Sequence, residues 1–410
     1  MTLQLTVILL ALVGSAYSIF LNVVQYRSAN NPTPANLSDV YDAETYEKWK
    51  AYSAEHCKLS LAGNVVSAVC TIVLLASGAY AAFASLFPAD GLWQLFSVIL
   101  LTVAVGTVFD VIKNYISTMV IEQKYGFNRS TVKTFVFDCI RSFLLDLFLS
   151  LLLSGLMALL HKLVGAWLIV LFAVAMFAFT MLITFLYPIF SRIGNKFTPL
   201  EDGELKTKLM ALLEKYGYRV KAIEVMDASR RTTKLNAYFT GFGKMKTIVL
   251  FDNLLNAMSE DEVCAIFAHE MGHGLHKDVL RGQILNIGYM LLMGTAVWFT
   301  VSSPTLYTVF GFDTINYGFA YILVSIFLGL LQPLVSLITN ANSRRAEYRA
   351  DRQAVIEGYG EAMISAFKKL AKDNFSHLAP SKINVVLEYS HPPLDRRVEE
   401  VEKALKEQEK

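Results

Sequence analysis

Long runs of apolar residues alternate with shorter polar stretches along this chain. A helix needs about 20 mostly apolar residues to cross a bilayer, and seven of the runs are long enough. The predicted spans are Leu3–Val24, Leu59–Phe87, Trp93–Val120, Ser142–Leu160, Ala166–Phe190, Ile284–Ser302 and Tyr317–Leu337. The pattern therefore predicts a multi-pass α-helical membrane protein.

The basic residues of the loops predict how these helices are oriented. Loops 26–58 and 121–141 each hold four Lys or Arg residues, whereas the loops on the opposite side hold only Lys162. Because basic loops stay in the cytoplasm, residues 191–283 and 338–410 are predicted there, with the amino terminus outside. The first span has no Lys or Arg before its apolar core, which favours a retained anchor over a cleaved signal peptide.

Composition supports a membrane protein and excludes one class of partner. The chain of 410 residues is 54% hydrophobic and only 18% charged, with a mean hydropathy of +0.43, whereas soluble domains have about 25% charged residues. The formal net charge of +2 gives no support to a nucleic-acid partner. The four cysteines lack C-x-x-C spacing, and we predict free thiols.

Several charged residues lie within or beside the predicted spans. They are Asp110, Lys113, Asp138, Arg141 and Asp146. Intramembrane charges usually face an interior and pair with one another, and Asp110 and Lys113 are spaced to share one helix face. Two interpretations remain open, structural pairing between helices and a hydrated chamber.

The sequence H-E-x-x-H occurs at His269, Glu270 and His273. Residues four apart lie on one face of a helix, so two imidazoles there can bind one Zn²⁺ while the adjacent Glu270 acts as general base. Ser259 and Glu262 have the spacing of a capping box, which predicts that the helix begins there. His276 follows too closely to be the third histidine of a metzincin, and we predict a surface or supporting role for it.

A third zinc ligand is expected from elsewhere in the chain. The best candidate is Glu347, because the seventh span is expected to continue as a helix that places Arg344, Glu347 and Asp351 on one face. In that arrangement Asp351 would orient a ligand histidine. The alternative is an ordinary charged helix end beyond a membrane span.

A second histidine motif lies near the carboxyl end, at Ser390-His391-Pro392-Pro393. His391 could stabilise an oxyanion, serve as the third zinc ligand, or be a simple loop residue. Arg397 could support the site electrostatically or pair with a surface carboxylate.

Short strands are predicted before the zinc motif. Their ranges are Arg219–Met226, Leu235–Phe239 and Met245–Phe251, with a hairpin turn at 240–243 between the last two. The 235–239 strand is our candidate edge strand for holding an extended peptide by backbone hydrogen bonds. The alternative is a strand buried on both sides.

These motifs resemble one family closely, the integral-membrane type I CAAX prenyl proteases. The resemblance is carried by the following stretches: H-E-M-G-H at 269–273, E-Y-R-A-D at 347–351, S-H-P-P at 390–393, L-N-A-Y-F at 235–239, E-Q-K-Y-G-F-N at 122–128 and K-F-T-P-L at 196–200. It implies a fold of seven transmembrane helices enclosing a water-filled chamber, with a cytoplasmic α+β zincin-type metalloprotease domain.

The resemblance also implies the roles of the site residues. His269, His273 and Glu347 would bind one Zn²⁺, and Glu270 would be the general base. His391 would stabilise the oxyanion, and substrate would bind at Asn236 and its neighbours Ala237 and Tyr238. With Asp351 and Arg397 as supporting residues, these form the predicted site.

We accordingly expect four segments. Residues 1–190 would form a five-helix transmembrane region, and residues 191–283 a cytoplasmic protease part with the H-E-x-x-H helix. Residues 284–337 would form helices six and seven, and residues 338–410 a cytoplasmic part with the third ligand and the S-H-P-P motif.

The predicted function is zinc-dependent hydrolysis of peptide bonds at the lipid bilayer. The resemblance implies C-terminal processing of prenylated peptides; the alternatives are a quality-control protease that needs no prenyl group, a non-catalytic zinc-binding chaperone, and a transporter. The complete zinc motif with Glu270 argues against the last two. The end of the sequence, 406–410, has no dilysine retrieval signal, which favours a bacterial inner membrane over the endoplasmic reticulum.

Overall fold

A computed structural model describes residues 2–240 and 247–409. The first part of the chain is entirely helical. Its α-helices are α1 (Leu3–Ser28), α2 (Ala43–Ala76), α3 (Ala79–Ala84), α4 (Gly91–Asn114), α5 (Val132–Val164) and α6 (Leu168–Phe190). A π-helical segment, Tyr115–Glu122, continues α4 without a break.

A small sheet and three helices follow. They are β1 (Phe197–Pro199), α7 (Glu204–Lys215), β2 (Ala222–Met226), β3 (Ala237–Thr240), β4 (Thr247–Phe251), α8 (Asp252–Ala257) and α9 (Glu260–Leu275). The remaining helices are α10 (Asp278–Val301), α11 (Thr305–Thr308), α12 (Tyr317–Ile356), α13 (Gly360–Asp373), α14 (Lys382–Leu387) and α15 (Leu394–Gln408).

Seven helices of the described chain are long and apolar enough to cross a membrane, as predicted. They are α1, α2, α4 with its π-helical continuation, α5, α6, α10 and α12. The predicted second span, Leu59–Phe87, is wrong at its end, and its helix extends well ahead of Leu59. The helix begins at Ala43, because Asp42 caps it through the Thr45 amide and its first turns are polar. It stops before Gly78, which adopts a left-handed conformation with φ of 70°.

The seventh membrane helix is much longer than its apolar run. Residues Tyr317–Ile356 form one continuous helix, which confirms the predicted continuation beyond Leu337. At about 1.5 Å per residue, the polar end projects far enough to carry Glu347 and Asp351 against the neighbouring helix α9. This single helix therefore links the membrane region to the protease part.

The four-stranded sheet has the order β1-β2-β4-β3. Strand β2 runs parallel to β4, with Ala222 opposite Thr247, and β3 runs antiparallel to β4, with Ala237 opposite Leu250. Among the described strands β3 pairs only with β4, so the predicted edge strand is confirmed. The predicted turn at 240–243 lies, apart from Thr240, outside the described residues.

Helix α9 is buried between the sheet and the carboxyl-terminal helices. Cys264, Phe267 and Met271 face the core that contains β2 and β4. Ala265 and Ala268 pack in a second core that includes residues of α12, α13 and α15. Leu37 and Trp49, from the first polar loop and the start of α2, belong to that second core, so the loop lies on the same side as both protease parts.

Two of the cavities in the membrane region are lined by polar or charged residues. The larger has a volume of about 1060 Å³ and is lined by α1, α2 and α12, with polar groups such as His56, Asn64 and Gln332. Asp110, Asp138 and Asp146 line the second, of about 370 Å³. These cavities agree with the predicted chamber-forming bundle.

The intramembrane charges support a hydrated interior more than pairing with one another. Asp138 pairs with Arg231 at 2.7 Å, and Arg141 donates to the Ile193 carbonyl at 3.1 Å. Both partners lie at or beyond the membrane helix ends. No ion pair joins Asp110 to Lys113 in the part of the chain that the structure describes.

Candidate metalloprotease site

The helix that carries H-E-x-x-H is fixed at its start. Ser259 Oγ accepts from the Glu262 amide at 3.3 Å, and Glu262 Oε2 accepts from the Ser259 amide at 2.8 Å, which is the predicted capping box. Lys369 and Ser365 from α13 also donate to the Glu262 carboxylate, at 2.7 and 2.6 Å. The cap thus orients α9 and ties it to α13.

His269, His273 and Glu347 come together in space. The two rings meet edge to face with centroids 4.8 Å apart. His269 Nε2 lies 3.6 Å from Glu347 Oε2, and His273 Nε2 lies 3.4 Å from Glu347 Oε1. One ligand atom from each residue falls within 4.8 Å of the others, so the three side chains surround one point.

A glycine permits the close approach of α9 and α12. A Cβ added to Gly272 would lie 3.0 Å from the Ala350 Cα and 3.1 Å from the Gln353 Cβ. Any larger residue would push the two backbones apart. Gly272 therefore sets the separation between the histidines on α9 and the carboxylate on α12.

His269 is oriented from behind by Asp351 and Arg397. Its Nδ1 lies 2.8 Å from Asp351 Oδ1, which leaves Nε2 directed toward Glu347. Arg397 donates to both carboxylate oxygens of Asp351, at 2.9 and 2.6 Å, and its guanidinium lies 4.3 Å above the Phe367 ring. The predicted supporting residues thus meet around one of the predicted ligands.

A carboxylate also supports His273, and this contact was not predicted from the sequence. His273 Nδ1 lies 3.1 Å from Asp278 Oδ2, and Arg349 donates to Asp278 Oδ1 at 2.6 Å. Lys277 adopts a left-handed conformation with φ of 56°, which turns the chain sharply between α9 and α10 and returns Asp278 toward the metal motif. The one indication of this support in the sequence is the acidic residue Asp278 shortly after the H-E-x-x-H motif.

Glu270 lies within this group of charged side chains. Burial raises the pKa of its carboxyl, while the neighbouring His269 and His273 pull it down. A raised pKa makes a carboxylate a better proton acceptor near neutral pH. The environment of Glu270 is therefore suited to general-base chemistry.

His391 reaches the site from the loop between α14 and α15. Its Nδ1 lies 2.9 Å from Glu347 Oε2, although 64% of the side chain is exposed. Arg344 donates to the Val385 and Tyr389 carbonyls, at 2.9 and 2.7 Å, and so holds this loop against α12. His276, by contrast, caps the end of α9 and does not belong to the three-ligand group.

The predicted substrate residues lie at the start of the edge strand, which contacts α9. Asn236 is exposed immediately before β3, and Ala237 is its first residue. The Tyr238 ring packs edge-on against Tyr187, with centroids 6.2 Å apart. Backbone groups just ahead of these residues are anchored by Asn374, which bonds both the amide and the carbonyl of Leu235, at 2.8 and 3.0 Å.

The donor set fits a divalent cation. Two histidine nitrogens and one carboxylate are typical ligands of catalytic zinc, with a further position left open. Burial by itself lowers the pKa of His273, but hydrogen bonds to Asp278 and Glu347 outweigh it and raise the pKa to about 10. The pocket therefore favours a positive charge at the point where the ligands converge.

Comparisons with known proteins agree with this geometry. Two family models match, "Peptidase family M48" over residues 199–405 and "CAAX prenyl protease N-terminal, five membrane helices" over residues 22–192. The chain is 29% identical to CAAX prenyl protease 1 homolog of Oryza sativa subsp. japonica, covering 95% of this chain and 94% of the relative. It is also 29% identical to CAAX prenyl protease 1 of Saccharomyces cerevisiae, covering 93% and 91%.

A solved structure agrees over the whole fold. The crystal structure of S. mikatae Ste24p matches with a TM-score of 0.90 and 27% identity, covering 98% of this chain and 99% of that one. The predicted fold, a chamber-forming helical bundle joined to an α+β domain, is thereby confirmed, and so is the predicted family. The family model for peptidase family M48 matches just over half of the sequence. The chain therefore belongs to peptidase family M48 and is a multi-pass membrane metalloprotease of a family that binds a metal, generally zinc.

Proposed function

We propose that this protein removes the C-terminal tripeptide from prenylated CAAX proteins, with one Zn²⁺ bound by His269, His273 and Glu347. The observation that carries the proposal is the similarity to CAAX prenyl proteases over more than nine-tenths of both chains. The converging donor set supports it. No observation favours a chaperone, a transporter or a protease that ignores the prenyl group.

The catalytic roles follow from chemistry at this site. Bound zinc would polarise the scissile carbonyl and acidify the attacking water. Glu270 would accept a proton from that water and pass it to the leaving amine. Asp351 with Arg397, and Asp278 with Arg349, would hold the imidazoles of His269 and His273 so that each Nε2 faces the metal.

Two further groups would act on the peptide itself. His391, largely exposed beside Glu347, would donate a hydrogen bond to the carbonyl oxygen as negative charge develops there. The edge of β3, with Ala237 and Tyr238 and the preceding Asn236, would hold the substrate backbone in an extended conformation. Recognition through backbone groups would leave side-chain specificity modest.

We also propose that the site faces the cytoplasm. The two protease parts, 191–283 and 338–410, share one side with the basic loops near residues 26–58 and 121–141. A cysteine placed at the exposed residue Asp202, in a variant without native cysteines, should react with impermeant reagents only after cells are opened. Reaction in intact cells would overturn this orientation. A bacterial inner membrane stays a prediction, and the relatives described above are eukaryotic.

Cleavage of matched peptides tests the proposed function. The purified protein should release the last three residues from a farnesylated C-terminal peptide, and a chelator should abolish the release. The unprenylated twin should be cleaved much more slowly. Equal cleavage of both peptides would favour the quality-control alternative, and cleavage of neither would refute the proposal.

A further inference from the structure

A small cavity with apolar and polar lining lies between three membrane helices near the site. It has a volume of about 260 Å³, and its apolar lining comes from Met176 on α6, Met290 and Met293 on α10, and Val335 on α12. We refer to it as the Met-lined cavity. Methionine side chains adapt to irregular apolar shapes, so this lining suits a flexible hydrocarbon chain.

The Met-lined cavity adjoins a second cavity beside the zinc ligands. That second cavity, of about 230 Å³, is lined by His273 and Asp278 and is called the site cavity here. Asn286 on α10 and Thr339 on α12 line both cavities, so the two cavities adjoin. An apolar chain in the first would have its attached peptide at the metal ligands.

The polarity of this combined space changes along its length. The site cavity is lined mostly by polar residues, among them Asp278, Asn286, Thr339, Asn342 and Ser343, whereas the Met-lined cavity adds three methionines and Val335 beside Thr180, Tyr289 and Gln332. Along α10, Asp278 and Met293 are about 22 Å apart at 1.5 Å per residue. A molecule that fits this gradient has a polar backbone at one end and a long apolar chain at the other.

The large chamber is the alternative place for the same chain. It is lined by polar residues such as His56, Asn64 and Thr71 and by apolar ones such as Leu10 and Ile322, but none of its lining residues lines the site cavity. The chamber touches the Met-lined cavity only through the shared residue Gln332.

We propose that the Met-lined cavity binds the isoprenoid chain of the substrate while the adjoining peptide bond lies at the zinc site. The inference rests on the proposed function and adds the place where the prenyl group is recognised. The chain is held between α6, α10 and α12, within the membrane bundle and beside the site cavity.

Filling the cavity is the first test. Met293→Trp should raise KM for the farnesylated peptide roughly 10–100-fold, since a pocket that loses room for its ligand discriminates by about that factor. Zinc content and kcat should stay near wild type. Leu292→Trp, the adjacent and exposed position on α10, is the matched control and should change neither constant. An unchanged KM in Met293→Trp, with zinc bound, would overturn the inference.

Photo-crosslinking tests where the isoprenoid chain binds, even if Met293→Trp does not fold. A farnesylated peptide with a photoreactive group on its isoprenoid chain should label Met290, Met293 or Val335 in the otherwise native Glu270→Gln protein. Labels confined to the large chamber would overturn this inference alone. Equal competition by a peptide with a straight acyl chain would also overturn the isoprenoid assignment. Failure of wild-type protein to cleave the farnesylated peptide would instead refute the proposed function, and the inference with it.

Discussion

At the scale of single residues, each ligand histidine is held by a carboxylate that an arginine holds in turn. His269 is backed by Asp351 and Arg397, and His273 by Asp278. The two supports come from different parts of the chain, but each engages Nδ1 and so leaves Nε2 directed toward Glu347 and the proposed metal position. Such partners fix the tautomer and raise the basicity of the ligand.

The carboxylate behind His273 can be tested by Asp278→Asn. We expect the apparent affinity for zinc to fall about 10–100-fold, because the amide orients the imidazole less firmly than the carboxylate does. Competition with a chelator at several concentrations measures this. Asp202→Asn, which removes an exposed carboxylate far from the site in sequence, is the control. Equal zinc affinity in Asp278→Asn and wild type would show that Asp278 has no such role.

A substitution at His391 distinguishes a role in stabilising the oxyanion from a role in binding zinc. Its Nδ1 lies close to Glu347, but most of the side chain is free to meet a substrate. His391→Ala should retain zinc and lose about 10²–10³ in kcat, with little change in KM, because the lost hydrogen bond strengthens only as the oxyanion forms. Loss of zinc together with activity would make His391 a ligand, and normal kcat would remove it from catalysis.

At the scale of elements, the contact between α9 and α12 determines the site. The helices approach closely only because residue 272 has no side chain. Gly272→Ala should cost about 1–3 kcal/mol of stability, as overpacking usually does, and should weaken zinc binding by separating Glu347 from the histidines. Thermal unfolding and zinc content measure the two effects.

A glycine in open space provides the control for this substitution. A Cβ at Gly288 on α10 would meet nothing within 4 Å, and alanine is the better helix former. Gly288→Ala should therefore leave zinc content unchanged and stability equal or slightly higher. If Gly272→Ala behaves in the same way, the helix separation does not control the site.

A half-buried histidine joins α1 to the carboxyl-terminal part, and we expect it to make the fold sensitive to acid. His377 bonds Ser28 Oγ through Nε2 at 2.8 Å and accepts from the Ala379 amide through Nδ1 at 3.2 Å. Burial lowers its pKa to about 4, whereas an unfolded histidine has a pKa of about 6.5. The neutral ring therefore stabilises the fold above about pH 6.5, and this stability is lost as pH falls toward about 4.

His377→Gln removes the titration while keeping a polar side chain. The thermal midpoint in detergent should fall less steeply between pH 6.5 and 4 in the variant than in wild type. Parallel curves would show that His377 does not contribute to acid sensitivity.

Local patterns predicted the elements better than their contacts. The H-E-x-x-H helix, its cap and the extended α12 follow from helical spacing, which the sequence displays directly. The support by Asp278 depends on one left-handed residue, Lys277, which spacing does not reveal. The packing of Leu37 on the protease core joins residues hundreds of positions apart, and an isolated apolar residue in a polar loop has no periodicity to indicate it.

At the scale of the whole molecule, the same helices contribute to the large chamber in the membrane bundle and to the site in the protease part. Helix α12 lines the large chamber with Gln332 and carries Glu347 to the motif on α9. Leu387, at the end of α14, and the following Glu388 line the chamber just ahead of the His391 loop. The site is therefore assembled only when the bundle is intact, and we expect no zinc-binding fragment from residues 191–283 alone.

The most direct test of a zinc peptidase built across α9 and α12 is zinc content and peptide turnover measured on the same preparations. Wild type should hold about one zinc per chain and cleave a farnesylated peptide. Glu270→Gln should keep the zinc without turnover, and Glu347→Ala should lose both. Tightly held zinc in Glu347→Ala, or near-normal turnover in Glu270→Gln, would contradict the account.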